Sequence, residues 1–356
     1  MSTAIQTKNS TISANGPCYF IADIAANHDR SLNRAKQLIR LAALNGANAA
    51  KFQNFKANTI VSRKGFGELG EKIAHQSSWE KDVFDVYEEA ELPWEWTEEL
   101  ISCCDENGID YFTAPYDLDF VDQYADRFQI IKVGSGDITW AEALEKYAKS
   151  KKYVFLATGA STIEDVSRAV NILETGASPL VIMQCNTNYS GSLDNFNHLN
   201  LRTLNQYSEL FPNAILGLSD HTPGHVAVLG AVSLGARVIE KHFTDDSSRT
   251  GPDHSFSLDP DSWRRMVTDV RYLESALGDG QKKIEENEKD SIVVQRRALR
   301  FRRDLQKGTA LDREDLIALR PCPKNGVPPY KIDELIGRRL IRDVKFDELV
   351  IESLLE

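Results

Sequence analysis

Two histidines, His221 and His242, each stand just past a short apolar run, AILGLSD before the first and ARVIEK before the second. The stretch between them, HVAVLGAVSLGA, has a helical texture. A strand, a helix and a strand in succession put both strand ends on one side of a parallel sheet. In a (β/α)8 barrel that side is the catalytic face. Two imidazoles delivered there from neighbouring strands can grip one divalent metal ion.

Three lysines, Lys51, Lys132 and Lys241, lie inside apolar strand-like runs. A lysine there is costly to bury unless an anion neutralises it. Together with Ser135, Thr158 and Ser219 they are expected to cradle a phosphate or a carboxylate. Gly134, Gly136 and Gly159 would let backbone N–H groups approach that anion. The other polar residues at strand ends are Asp23, Gln53, Thr113, Thr187, Asn188, Tyr189 and Glu240, with Asp253 following in GPDH. These residues point to an anionic, phosphorylated substrate held next to a metal.

Eight runs are expected to be the strands that carry these groups: YFIADIA, NAAKFQ, DYFTA, QIIKVG, YVFLATG, LVIMQC, AILGLS and ARVIEK. Helix-period stretches such as LNRAKQLIRLAAL alternate with them. Glycines at Asn45-Gly46-Ala47 and Asn107-Gly108-Ile109 suit the left-handed turn that ends a helix. Eight βα units favour a closed TIM barrel over a doubly wound sheet, and the G-x-G-x-x-G of such sheets is absent. The barrel is expected over residues 18–278, after a loose arm over 1–17. A charged linker is expected over 279–297 and a small β-rich domain over 298–356. Within that last domain, Leu316, Leu319, Ile332, Leu335 and Ile336 are expected to form an apolar docking face.

The formal net charge of -11 argues against a surface built for nucleic acid or anionic membranes. Five cysteines with no metal-binding spacing, no apolar signal core and no long apolar span suggest free thiols in a cytoplasmic protein.

Read in order, IADIAANH, KFQ, KVGSGDI, ATGAST, GLSDHTPG, GARVIEKHFT and GPDHSFSLDP resemble the strand-end motifs of the sialic acid synthases. That family includes N-acetylneuraminate, legionaminate and pseudaminate synthases and a spore-coat polysaccharide homologue. The tail is similar to their antifreeze-like SAF domain. The resemblance implies condensation of phosphoenolpyruvate with the aldehyde of an N-acylated hexosamine, giving a nine-carbon 2-keto-3-deoxy acid and phosphate. It implies Mn2+ or Mg2+ on His221 and His242. It also implies a homodimer whose SAF domains cap the partner barrels, with Arg320 reaching the sugar's N-acyl group.

On this reading Lys51, Thr113, Lys132, Ser135, Thr158, Thr187 and Ser219 bind phosphoenolpyruvate. Gln53, Asn188 and Tyr189 line the sugar end. Asp23, Glu240 and Asp253 are the candidate catalytic carboxylates. Three departures stand out: Asp23 replaces the usual glutamate, Ala157-Thr158 the usual serine-threonine pair, and Ser190 a proline. The alternatives are a 3-deoxy-octulosonate type synthase using a phosphorylated aldose, or a non-catalytic polysaccharide-binding homologue.

Overall fold

Short β-branched and aromatic runs that alternate with amphipathic helices can bury both faces only as parallel βαβ units. The computed structural model describes residues 4–177 and 179–356. It divides into two units, residues 1–278 and 279–356.

In the first unit a hairpin of β1 (Ala4–Gln6) and β2 (Thr11–Ser13) precedes eight parallel strands. These are β3 (Tyr19–Asp23), β4 (Ala49–Asn54), β5 (Asp110–Pro115), β6 (Ile130–Val133), β7 (Tyr153–Ala157), β8 (Val181–Cys185), β9 (Ile215–Asp220) and β10 (Val238–His242). They close as a barrel, with β10 pairing back to β3. The helices are α1 (Leu32–Leu44), the short α2 (Ala57–Ile60), α3 (Arg63–Glu68) and α4 (Val83–Ala90), then α5 (Thr97–Glu106), α6 (Leu118–Tyr124), α7 (Ala141–Lys149), α8 (Ile163–Leu173), α9 (Thr203–Leu210), α10 (Val226–Ser233) and α11 (Pro260–Leu277). Helix α1 starts at Ser31, whose hydroxyl accepts from the Arg34 N–H, and buries Ala35, Leu38, Ile39 and Ala42 on one face. Gly46 and Gly108 end α1 and α5 with φ of 91° and 67°, the left-handed turn expected of them.

Alternation along the strands sorts side chains into two sets. Ile21, Ala49, Phe112, Ile130, Phe155, Met183, Ile215 and Val238 pack together inside the barrel. Phe20, Ala50, Tyr111, Ile131, Val154, Ile182, Leu218 and Ile239 pack outward with helix residues such as Leu38 and Leu100.

Residues 4–17 are not the loose arm expected of the N-terminal segment from its polar composition. Ile5 and Ile12, directly opposed in the hairpin, are both fully buried in the interior cluster. Asn9 donates to Asp110 at 3.0 Å, and the Tyr19 hydroxyl donates to the same carboxylate at 2.8 Å. Two isoleucines in a polar segment are a weak sequence signal, and the buried surface gives them their role.

The second unit starts at Asp279, so the charged stretch expected as a linker falls within it. Its helix α12 (Lys289–Gln295) is tied in by the Cys322 N–H, which donates to the Val293 carbonyl at 2.8 Å. Strands β11 (Ala298–Phe301) and β12 (Leu316–Leu319) pair antiparallel over a separate core that includes Leu299, Phe301, Leu311, Leu340 and Val350. Leu316 and Leu335, expected on an apolar docking face, are instead buried in that core. A domain this small must spend its best hydrophobes on itself. Among the described residues no helix is long and apolar enough to cross a membrane.

Deleting buried methyl groups from the hairpin should show that it belongs to the core. Ile12→Ala is expected to cost about 2–5 kcal/mol in urea denaturation. A loss within about 0.5 kcal/mol, the usual range for surface positions, would return the segment to the status of an arm.

Candidate active site

The inward rows that begin with hydrophobes end in polar groups. Asp23 follows Ile21, Lys51 follows Ala49, Lys132 follows Ile130, Ser219 follows Gly217, and Glu240 and His242 follow Val238. Strand register sets their neighbours: Asp23 lies beside His242 across one ladder and beside Lys51 across the next.

The result is a buried ion cluster. Lys51 Nζ is 2.6 Å from Asp23 Oδ2 and 3.7 Å from Glu240 Oε1, and Lys132 Nζ is 3.3 Å from that same Glu240 oxygen. The Ser219 hydroxyl donates to Glu240 Oε1 at 3.0 Å. All four ionic side chains are nearly inaccessible to solvent. Burial alone would push the Glu240 carboxyl up, but Lys132 and Lys51 outweigh it and hold it at about 2. Burial raises Asp23, partly offset by Lys51. Burial works against the Lys51 charge, yet Asp23 and Glu240 prevail and raise it. Glu240 Oε2 is buried with no hydrogen-bond partner, so the cluster has room for one more donor.

At the mouth the two imidazoles have ring centroids 5.4 Å apart. Burial first, and each other's proximity for His221, lower them to about 3 and about 4, so both are neutral near pH 7. His221 Nδ1 lies 2.9 Å from the Asn186 carbonyl. A neutral ring can only donate there, which leaves Nε2 with its lone pair. His242 Nδ1 is buried with no hydrogen-bond partner. The His242 ring also lies near two carboxylates, with Asp23 at 3.5 Å and Asp253 at 4.0 Å. The shorter carboxylate at position 23 therefore still reaches both Lys51 and the histidine. Asp253 is fixed by the Ala26 N–H, which donates to it at 3.0 Å.

A cavity of about 510 Å3 opens beside these groups, lined by Gln53, Ser135, Thr187, Tyr189, His242 and Asp253 among others. The Tyr189 ring sits 4.2 Å from that of His221. Ser135 accepts from the Gly159 N–H at 3.0 Å, and a Cβ at Gly159 would come within 2.7 Å of Thr187 and 2.9 Å of the Ser135 hydroxyl.

Several expected members lie elsewhere. Lys241 points out of the barrel, bonded to Asp220 at 2.7 Å and to the Thr222 carbonyl at 2.7 Å. Thr113 also faces outward, donating to Asn54 Oδ1 and the Phe52 carbonyl. The Thr158 hydroxyl donates to the Met183 carbonyl and accepts from Tyr207 of α9, so it does not replace the hydroxyl lost at inward-facing Ala157. Each is one residue out of phase with the inward row, which turns it to the other face. Asn188 is exposed and builds a turn by accepting from the Ser190 N–H at 3.1 Å. A proline at position 190 would have no N–H to give, so this chain makes the turn by a hydrogen bond instead. Arg320 lies, as expected, in the second unit, where it is exposed and its Nε donates to the Gln295 carbonyl at 2.6 Å.

The sequence reading passed over Cys185, Asp137 and the wall formed by residues 55–96. Cys185 occupies an inward position of β8, level with Ser219 of β9. Counting by twos from Val181 would have found it. Asp137 lines the cavity, and burial raises its carboxyl to about 6.

The chain matches the model of the NeuB family over residues 38–282 and that of the SAF domain over residues 296–356. It is 34% identical over 339 residues to N,N'-diacetyllegionaminic acid synthase of Campylobacter jejuni, an alignment covering 93% of this chain and 98% of the relative. It is 33% identical over 334 residues to pseudaminic acid synthase of the same species, covering 93% and 94%. A crystal structure of N-acetylneuraminic acid synthetase from Leptospira borgpetersenii superposes with a TM-score of 0.71 and 28% identity, covering 82% of this chain and 96% of that one.

Two outcomes follow from the placement of charges. Lys241→Ala strands the buried Asp220 carboxylate and should cost about 3–5 kcal/mol of stability in denaturant titration. A loss under about 1 kcal/mol would mean that the pair is open to water. Asp137 has a folded value of about 6 against its ordinary 3.8, so the folded protein holds more protons between those values. Its contribution therefore favours folding at low pH and is lost as pH rises from about 4 to about 6. Asp137→Asn should flatten that part of the stability profile, read as thermal midpoints at pH 4, 5 and 7. An unchanged profile would contradict the assignment.

Proposed function

The chain belongs to the NeuB family and carries a SAF domain, and from that premise we propose that it condenses phosphoenolpyruvate with the open-chain aldehyde of an N-acylated hexosamine. Carbon 3 of phosphoenolpyruvate bonds to the aldehyde carbon. Water adds at carbon 2, whose C–O bond to phosphate then breaks. The products are a nine-carbon 2-keto-3-deoxy acid and inorganic phosphate.

The observation that carries this reading is the pair of buried lysines beneath a two-histidine mouth. Lys51 and Lys132 are already desolvated, and Asp23 and Glu240 offset their charge at contact distance. An incoming phosphate and carboxylate would exchange with these internal partners, so binding needs little further stripping of water from the cations. Ser135 and Ser219 add hydroxyls at the same level. Asp23 touches both a lysine and His242, and burial raises its carboxyl above the usual range against the pull of Lys51. It is suited to pass a proton between the aldehyde oxygen and the site. Glu240 stays anionic and bridges the two lysines, offsetting their mutual repulsion. Its unpartnered oxygen can accept from the water that adds at carbon 2. Asp253, Gln53 and Tyr189 orient the sugar from the cavity wall.

The donor set suits Mn2+ or Mg2+ only in part. His221 Nε2 and His242 Nδ1 are neutral nitrogen donors without other partners, but among the described residues no three His, Cys, Asp or Glu side chains form a ready ligand set. An ion here would rest on the two imidazoles and take its other ligands from water and substrate oxygen. When bound, such an ion polarises a carbonyl as a Lewis acid. The homodimer belongs to the same proposal, with each SAF domain offering Arg320 to its partner's acceptor sugar.

Phosphate release from phosphoenolpyruvate, measured with a panel of N-acylated hexosamines, tests the reaction directly. Chelation should abolish it and Mn2+ should restore it. Lys132→Ala should lower kcat/KM for phosphoenolpyruvate about 30- to 150-fold, the ~2–3 kcal/mol of a charge-assisted contact, and move the sugar KM far less. Equal damage to both KM values would make the lysine structural. Mixing Lys51→Ala with Arg320→Ala should restore activity in mixed dimers if the arginine acts on the partner's site. Proven heterodimers without activity would place it in its own.

A further inference from the structure

The two loops that meet at the barrel seam are tied together by a closed circuit of contacts. One loop follows β3, over residues 24–31, and the other follows β10, over residues 243–259. His254, with no exposed surface, sits at the centre. Its Nε2 lies 3.0 Å from Asp29 Oδ1, and its Nδ1 lies 2.8 Å from the Thr244 hydroxyl. The other Asp29 oxygen is 2.9 Å from Arg34 Nε, which also donates to the Asn27 carbonyl at 2.7 Å. Both terminal nitrogens of Arg34 donate to Asp245, at 2.6 and 2.9 Å. Asp245 follows Thr244 in the chain, and the circuit closes. Burial alone would raise the Asp245 carboxyl, but Arg34 and Arg249 prevail and hold it at about 2.

The first loop needs such a tie. Ala25, Asp29 and Arg30 have φ of 42°, 48° and 52°, the left-handed region that residues with a side chain rarely adopt. Backbone of this kind persists only where its surroundings over-determine it, and it gathers at functional sites. Asp253, next in the chain to His254, is held by the same two loops. The Ala26 N–H donates to its carboxylate, and the Ser257 hydroxyl donates to its carbonyl at 2.6 Å. Asn27 Nδ2 donates in turn to that hydroxyl at 2.9 Å. Asp253 lines the cavity and approaches His242, whereas no member of the circuit is among the described residues that line it. Gly251 shows how little slack remains. A Cβ there would stand 2.6 Å from the His254 ring, which is held at both nitrogens and has no room to turn.

We propose that His254, with Asp29 and Arg34, is a positioning residue of the active site. Touching no substrate itself, the circuit fixes the backbone at residue 254 and so sets where the Asp253 carboxylate meets the acceptor sugar. The inference rests on the proposed condensation, in which Asp253 orients the sugar, and names what holds that residue in place. A carboxylate on a loose loop loses conformational freedom each time a ligand binds, whereas on a tied loop that loss is already complete on folding. Lys51 and Lys132, which receive phosphoenolpyruvate on this reading, stand on β4 and β6 and take no part in the circuit.

The test is steady-state phosphate release by the full chain with phosphoenolpyruvate and Mn2+. The acceptor is N-acetylmannosamine or a 2,4-bis(acetylamino)-2,4,6-trideoxyhexose, whichever the wild type turns over faster. His254→Leu keeps the bulk of the ring and removes both of its bonds. It should lower kcat/KM for the sugar about ten- to 100-fold, chiefly through KM, and leave the KM of phosphoenolpyruvate within about two-fold. His254→Gln, whose amide can reach Asp29 in place of Nε2, should recover most of the loss. Gly251→Ala leaves every member of the circuit present and only crowds the ring. It serves where His254→Leu fails to fold, and its sugar KM should rise in the same way. Folded variants whose sugar KM stays within about two-fold of the wild type, or whose two KM values rise in step, would overturn the inference and leave the condensation standing. So would a His254→Gln variant no better than His254→Leu. No phosphate release by the wild type with either acceptor would overturn both.

Discussion

Everything at the mouth of this barrel depends on a charge balance struck in its interior. Two lysines and two carboxylates lie on inward rows where water does not reach, and each cation is within 4 Å of an anion. Removing any one of the four would leave a buried charge without compensation, which typically costs several kcal/mol. Such a cluster is a poor way to stabilise a fold, since well-packed hydrophobes of similar volume do as well or better. Its value lies in preorganisation. The cations are held in place and already desolvated, and their partners can be exchanged for those of an incoming anion.

Burial also sets the state of the histidines. Burial keeps both imidazoles neutral, and the local hydrogen bonding leaves Nε2 of one and Nδ1 of the other without a proton-donating partner.

Much of this architecture was legible in the sequence. The eight strands were readable because each is a short apolar run bounded by helix caps, and the closed barrel followed from their number. Asp23, Lys51, Lys132, Ser219, Glu240, His221 and His242 were readable as polar groups at the ends of those runs. Facing was the harder step. Lys241 and Glu240 are adjacent in sequence and look alike as buried charges, yet one closes an ion pair outside the barrel and the other anchors the interior cluster. Thr113 and Thr158 were misplaced for the same reason, since a one-residue change of phase sends a side chain to the opposite face. The hairpin was hidden because its two isoleucines carry meaning only once the barrel floor exists. The aromatic wall was hidden because residues 55–96 form short helices that follow no single βα unit, and their rings meet only in three dimensions.

The pairing of β3 with β10 has a consequence for how the protein comes into being. These are the first and last strands of the barrel, and Asp23 and His242 sit side by side across their seam. The carboxylate meets the first lysine on the neighbouring strand β4, but it meets the histidine only when the ring is joined. A chain emerging from the ribosome can form seven of the eight strands and still possess no catalytic centre. Contacts between residues so far apart in sequence form late and slowly. The seam makes the pairing of carboxylate and histidine a property of the finished barrel alone.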